Sequence, residues 1–141
     1  MDFYEFRERR GEMADEESER LASLVIGAAI EVHKELGPGH PEKVYEEALC
    51  HEFELRAIPY RRQVEVKIQY KDVGKSWIDL LIGERLIVEL KTVERFADVH
   101  VSQCTGYLAA TKLRLALPIN FNVALLKQGI KRVVCDRVHP S

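Results

Sequence analysis

Two short apolar segments, Trp77-Ile78-Asp79-Leu80-Leu81-Ile82 and Leu86-Ile87-Val88-Glu89-Leu90-Lys91, read as strands covered on both faces, yet they carry three ionisable residues. An unpaired charge inside a sheet is strongly destabilising. Asp79, Glu89 and Lys91 must therefore pair with one another, bind a cation, or stand at an open end of the sheet. Glu89 and Lys91 are two apart on one strand and share a face. With Gly83-Glu84-Arg85 as a three-residue connection, Ile82 pairs with Leu86, and counting back sets Asp79 opposite Glu89. That register gathers all three on one side of the sheet; a slip of one residue scatters them. A salt bridge between Lys91 and one acid is the plainer use of these groups. Two carboxylates against one lysine, however, leave an excess negative charge that a divalent cation would balance.

The remaining pattern supplies the elements around these strands. Leu21, Leu24, Val25, Ala28, Ala29, Val32 and Leu36 recur at helical spacing, which predicts a helix with Ser18 as its N-cap and Gly37-Pro38 as its stop. A second helix is predicted from about Pro41 to Arg56. At about 100° per residue, Glu42, Tyr45, Glu46, Leu49 and Phe53 fall in one sector, while Lys43, Glu47, His51 and Glu54 form the solvent face. Glu42 and Glu46 thus lie on or beside the inward stripe, where one of them can complete a carboxylate cluster. An acid near a helix N-terminus is also what the macrodipole favours.

Gln63 to Tyr70 alternates as a strand, Lys71 to Lys75 is a turn, and a third helix is predicted over Asp98 to Lys112. His100, Gln103, Cys104 and Tyr107 line one side of that helix. A Gln and a Tyr four apart can hydrogen-bond a phosphate or orient a carboxylate, although a packed helix shows the same stripe. His33 reads as helix packing or surface. Strands follow over Leu115 to Phe121 and Ile130 to Cys135. The order is α-α-β-β-β-α-β-β, an α/β domain whose sheet mixes hairpin-joined strands with one reached through a helical crossover.

A chain of 141 residues, 46% hydrophobic and 31% charged, is expected to fold as one domain over 18–141 behind a charged arm over 1–17. The first twenty residues hold eight acids and four arginines, so the overall charge of −2 leaves the body at +2. That is no strong footprint for nucleic acid, but an acidic metal centre with a local basic rim remains compatible with it. Arg61, Arg62, Lys67, Lys71, Lys127, Lys131 and Arg132 are candidates for phosphate contact, though charges on loops and edges are usually solvated. No segment reaches the roughly 18 apolar residues of a membrane span, and no apolar h-region opens the chain. Three scattered cysteines form no metal motif or disulfide frame. A soluble, cytoplasmic chain is expected.

Gly39-x-x-Glu42-x-x-Tyr45 resembles the signature of the GxxExxY proteins, a family within the PD-(D/E)XK nuclease superfamily. Val25 to Gly39, Tyr45 to Leu49, Ile78 to Leu81, Ile87 to Lys91, His100-x-x-Gln103-x-x-x-Tyr107-Leu108 and Ile119 to Phe121 are similar to it as well. The resemblance implies a restriction-endonuclease-like αβββαβ core, a mixed central sheet flanked by helices, with an extra N-terminal helix. It implies Asp79 and Glu89 as metal ligands, Lys91 as the catalytic lysine, and Glu42 or Glu46 as an additional carboxylate. Gln103 and Tyr107 match a Gln-x-x-x-Tyr element of the superfamily. Ile78 stands where the motif's proline would be. The implied activity is Mg²⁺- or Mn²⁺-dependent hydrolysis of phosphodiester bonds in nucleic acid, with DNA the expected substrate. Hard carboxylate oxygens suit those ions better than zinc. The alternative is a non-catalytic nucleic-acid-binding or protein-interaction module on the same fold. A homodimer or a partner protein would lengthen the binding groove.

Overall fold

Each helix carries one apolar stripe and the sheet offers two apolar faces, so burial of all of them calls for helices on both sides of the strands. The computed structural model describes residues 3–8, 15–67 and 75–138. The elements are β1 (Phe3–Glu8), α1 (Glu16–Leu36), α2 (Glu42–Leu55), β2 (Tyr60–Lys67), β3 (Lys75–Ile82), β4 (Leu86–Lys91), α3 (Asp98–Thr111), β5 (Leu115–Asn120) and β6 (Val133–Val138). The strands form one sheet in the order β1-β6-β5-β4-β3-β2. Neighbours are antiparallel except β4 and β5, which α3 joins as a crossover. Helices α1 and α2 pack on one face, over Leu80, Ile82, Val88 and Leu117 among others. Helix α3 covers the other, with Cys104, Tyr107 and Leu108 against Ile78, Leu81 and Ile87.

Several boundaries differ from the sequence expectation, each for a local reason. The cap of α1 is Asp15, not Ser18: its carboxylate accepts the Ser18 N–H and the Ser18 hydroxyl, both at 2.8 Å. An aspartate there also meets the positive end of the helix dipole. Strand β2 begins at Tyr60, before Gln63, because Ala57 at φ 54° turns the chain out of α2 and the Ile58 N–H returns to the Phe53 carbonyl at 2.9 Å. Ile68 to Tyr70 and Lys71 to Gly74 lie outside the described residues. Strand β6 begins at Val133, since Ile130 makes only an isolated bridge to Ile119. Residues 3–8, expected to belong to a charged arm, pair as β1 along the otherwise open edge of β6. Phe-Tyr-Glu-Phe supplies strand formers for that purpose.

The loop between α1 and α2 brings the first turn of α2 to its place. Gly37 and Gly39 take φ +66° and +102°, which favour glycine. Tyr45, one turn into α2, locks the loop: its hydroxyl donates to the Gly37 carbonyl at 2.5 Å and accepts the His40 N–H at 3.2 Å. The ring stacks on Phe121 with centroids 4.5 Å apart. Glycine and tyrosine of the Gly39-x-x-Glu42-x-x-Tyr45 motif are thus the frame that carries Glu42. Tyr45→Phe, which orphans both partners of the hydroxyl, is expected to lower stability by about 1–2 kcal/mol in urea unfolding with an unchanged m-value. Equal midpoints for the two proteins would contradict this role.

Candidate active site

The β3–β4 register is the one expected: Ile82 pairs with Leu86, Leu81 with Ile87 and Leu80 with Val88. There the backbone ladder stops. The Asp79 N–H donates to Glu89 Oε1 at 3.3 Å, and the Leu90 N–H donates to Asp79 Oδ2 at 2.8 Å. Two carboxylates thus stand where main-chain carbonyls would continue the pairing. Strand β4 stays with β5 through Lys91↔Asn120, so β3 and β4 part while β4 and β5 do not.

A second distortion falls at the same level. Leu80 and Ile82 face α1 and α2, whereas Ser76 bonds to Tyr107 of α3 and Ile78 packs on that side with Val64 and Val66. The hairpin therefore exchanges faces between residues 78 and 80. On β2 the ladder passes from Arg62↔Leu80 to Val64↔Ile78, skipping Gln63 and Asp79. Gln63 takes φ +48°, a left-handed conformation rare for a non-glycine residue. The expectation of one shared face is corrected accordingly: Glu89 and Lys91 lie on the α3 side, and Asp79 lies in the seam between the strands. The face exchange is the reason, and the three residues still converge.

Glu89 is 2% exposed. Burial pushes its carboxyl up to about 9, and the neighbouring Asp79 charge adds to this. Lys91 opposes this rise through its charge, without a direct ion pair. Its ammonium donates to Gln103 Oε1 at 2.8 Å. Among the described residues, no salt bridge joins it to either acid. Gln103 Nε2 donates to the Tyr107 hydroxyl at 3.3 Å, which donates in turn to the Trp77 carbonyl at 3.1 Å and bonds to Ser76 Oγ at 2.8 Å. A hydrogen-bond chain from α3 back to β3 thus aims the amine, and burial raises the Tyr107 phenol further.

The two helix acids part company. Glu46 is buried and taken: Arg62 and Gln63 Nε2 each donate to it at 2.7 Å, and Gln63 also leans on Asp79 Oδ1 at 3.4 Å. Glu42, in the first turn of α2, opens to solvent and makes no ion pair among the described residues. Its carboxyl is raised by partial burial and then by the Asp79 charge, with Lys91 opposing. Among the described residues no three His, Cys, Asp or Glu side chains form a ready-made metal cage.

Sequence reasoning missed Gln63, which bridges Glu46 and Asp79, and Asn120. The latter is 2% exposed; its side chain accepts the Val93 and Asn122 N–H groups at 3.1 Å and donates to the Val93 carbonyl at 2.7 Å. It fixes the chain leaving Lys91. An amide ending the apolar run Leu115 to Ile119 was the available signal. His100 caps the start of α3, accepting the Ala97 N–H at 3.0 Å, and His33 bonds the Val123 carbonyl at 2.8 Å; neither enters the site. All three cysteines are buried. Arg61, Arg62 and Arg132 are held by Glu84, Glu46 and Glu19, and Lys71 lies outside the described residues.

A family model described as the PD-(D/E)XK nuclease superfamily matches residues 19–133. The chain belongs to that superfamily. Comparison with curated proteins and with solved structures returned no match. The PD-(D/E)XK core here is α2-β2-β3-β4-α3-β5, with α1 as the extra N-terminal helix. Among the described residues no helix is long and apolar enough to cross a membrane. Membership of this superfamily points to a metal-dependent nuclease.

The donor set fits a hard divalent ion. Mg²⁺ is commonly held by one or two carboxylates, with waters and substrate phosphates completing its shell, and needs no all-protein cage. Without a cation, Glu89 keeps a proton that it would lose on unfolding, because its folded value of about 9 exceeds the ordinary 4.5. Between those limits the folded chain binds more protons, so its stability is greatest at the acid end and falls as pH rises. Metal-free protein is expected to lose up to about 1.4 kcal/mol per pH unit across that window. Chemical denaturation at several pH values checks it, and Glu89→Gln should flatten the slope.

Proposed function

We propose that this chain is a nuclease that hydrolyses phosphodiester bonds in DNA with Mg²⁺ or Mn²⁺ as its cofactor. One observation carries the reading: the carboxyl groups of Asp79 and Glu89 meet at the mouth of one seam, where they accept the backbone donors of the parted strands, while the Lys91 ammonium beside them bonds to Gln103. Asp79 and Glu89 hold the ion through hard oxygens, and Glu42, unpaired at the rim, is the helix acid that joins them. When bound, the ion polarises the scissile phosphate and lowers the pKa of a water. Lys91, aimed by Gln103 and Tyr107, donates to the phosphate oxygen on which charge develops or orients the attacking water. Gln103 thus acts as a positioning residue, and Glu46 supports the site from behind by holding Gln63 against Asp79.

The experiment is cleavage of supercoiled, linear and single-stranded DNA with Mg²⁺, Mn²⁺ or chelator. Wild type should cut only with metal. Asp79→Ala and Lys91→Ala should each lower the rate by about a hundredfold or more with folding intact by circular dichroism. DNA binding without metal-dependent cutting, unchanged by Asp79→Ala, would overturn the enzyme reading in favour of a binding module.

A further inference from the structure

Beyond Asp79, the outer half of the β2–β3 hairpin carries a face that the proposed reaction leaves unused. Val64, Val66, Ser76 and Ile78 turn toward α3, so the residues alternating with them, Glu65, Lys67, Lys75 and Trp77, turn the other way. Helix α2 does not cover them. Its first turn lies near Asp79, Glu46 reaches Arg62 and Gln63, and Glu54 meets Tyr60 at 2.8 Å, so the helix runs toward the opposite end of β2.

On this uncovered face stands the only tryptophan of the chain, 49% exposed. Trp77 lies two residues before Asp79, about 7 Å along the strand. Its carbonyl accepts the Tyr107 hydroxyl at 3.1 Å, which ties its backbone to the hydrogen-bond chain that ends at Lys91. Its cross-strand partner is Glu65, and the next pair outward is Lys67 opposite Lys75. Two like charges directly opposite each other in a ladder repel. Glu65 compensates Lys75 at 3.4 Å, while Lys67 forms no ion pair among the described residues. An open indole two residues from Asp79, beside the Lys67 ammonium, combines the two features that bind single-stranded nucleic acid: a π-face for a base and a cation for the backbone.

We infer that Trp77 is a base-stacking platform, with Lys67 and Lys75 on the adjoining phosphates, and that the site takes DNA whose bases are unpaired next to the scissile bond. The inference rests on the nuclease reading and names the substrate form it acts on. A duplex keeps its base faces stacked on one another, so only a single strand or a frayed end has a base to offer. Specificity for such ends then comes from this face, and the bond-breaking groups stay indifferent to it.

Because Trp77 is the sole tryptophan, its emission reports stacking directly. The full chain, in chelator to prevent cleavage, is titrated with labelled oligothymidylate of about 15 nucleotides and with a hairpin duplex of equal charge. Anisotropy of the label follows binding, and tryptophan emission follows contact. The expected result is quenching by the single strand and not by the duplex. Trp77→Ala should weaken single-strand binding about tenfold, Trp77→Phe should restore most of it, and duplex affinity should stay the same. Binding of the single strand with unaltered emission, or equal affinity in Trp77→Ala, overturns the inference and leaves the nuclease reading standing. Emission that changes with protein concentration alone assigns the face to a second copy and overturns it too. Failure to bind any DNA, together with absent cleavage, removes the nuclease reading itself.

Discussion

The hydrogen bonds from the Asp79 N–H to Glu89 and from the Leu90 N–H to Asp79 take the place of the next main-chain pair between β3 and β4. A sheet can part without orphaning its donors only if something else accepts them. Carboxylates do so here, and in doing so they are held at the mouth of the gap. On the far side, β4 remains paired to β5 as far as Lys91, and Asn120 ties down the chain beyond it. One strand leaves while its neighbour is fixed. The opening is therefore built into the sheet, and Gln63, strained at φ +48°, marks where the hairpin turns over to make it.

That substitution creates an electrostatic debt within the core. Burial and the Asp79 charge together keep Glu89 protonated at neutral pH when no cation is present. The Lys91 charge opposes this, and its ammonium bonds to Gln103 instead of forming an ion pair with either acid among the described residues. The arrangement leaves acids and amine close but separate, which is the arrangement the proposed reaction would use. A structural ion pair would have collapsed them together. Local conflict of this kind, supported by well-packed surroundings, is characteristic of functional sites.

The readable and unreadable parts of this molecule divide by the range of the interactions involved. The β3–β4 register followed from a short glycine-led connection and alternation, both local, and Asp79, Glu89 and Lys91 stood out because charge contradicts an apolar strand. Helical spacing placed Glu42 and Glu46 on or beside the inward stripe. It could not divide them, since that depends on Arg62 and Gln63 arriving from another element. Gln63 itself looked like an ordinary first residue of a strand, for a face exchange leaves no mark on alternation when both partners turn over together. Strand β1 was hidden for the same reason: its pairing exists only because β6 presents an open edge. Ser18 and Asp15 are both good caps, and the choice between them rests on one turn of backbone geometry.

Whether Asp79 and Glu89 hold a cation is decided by the anomalous signal of Mn²⁺ soaked into a crystal of the protein near pH 8. A peak is expected in the β3–β4 seam within about 2.0–2.3 Å of one oxygen of Asp79 and one of Glu89, with Lys91 still outside the coordination shell. An empty seam, or an ion bound only elsewhere, would rule the seam out as the metal site.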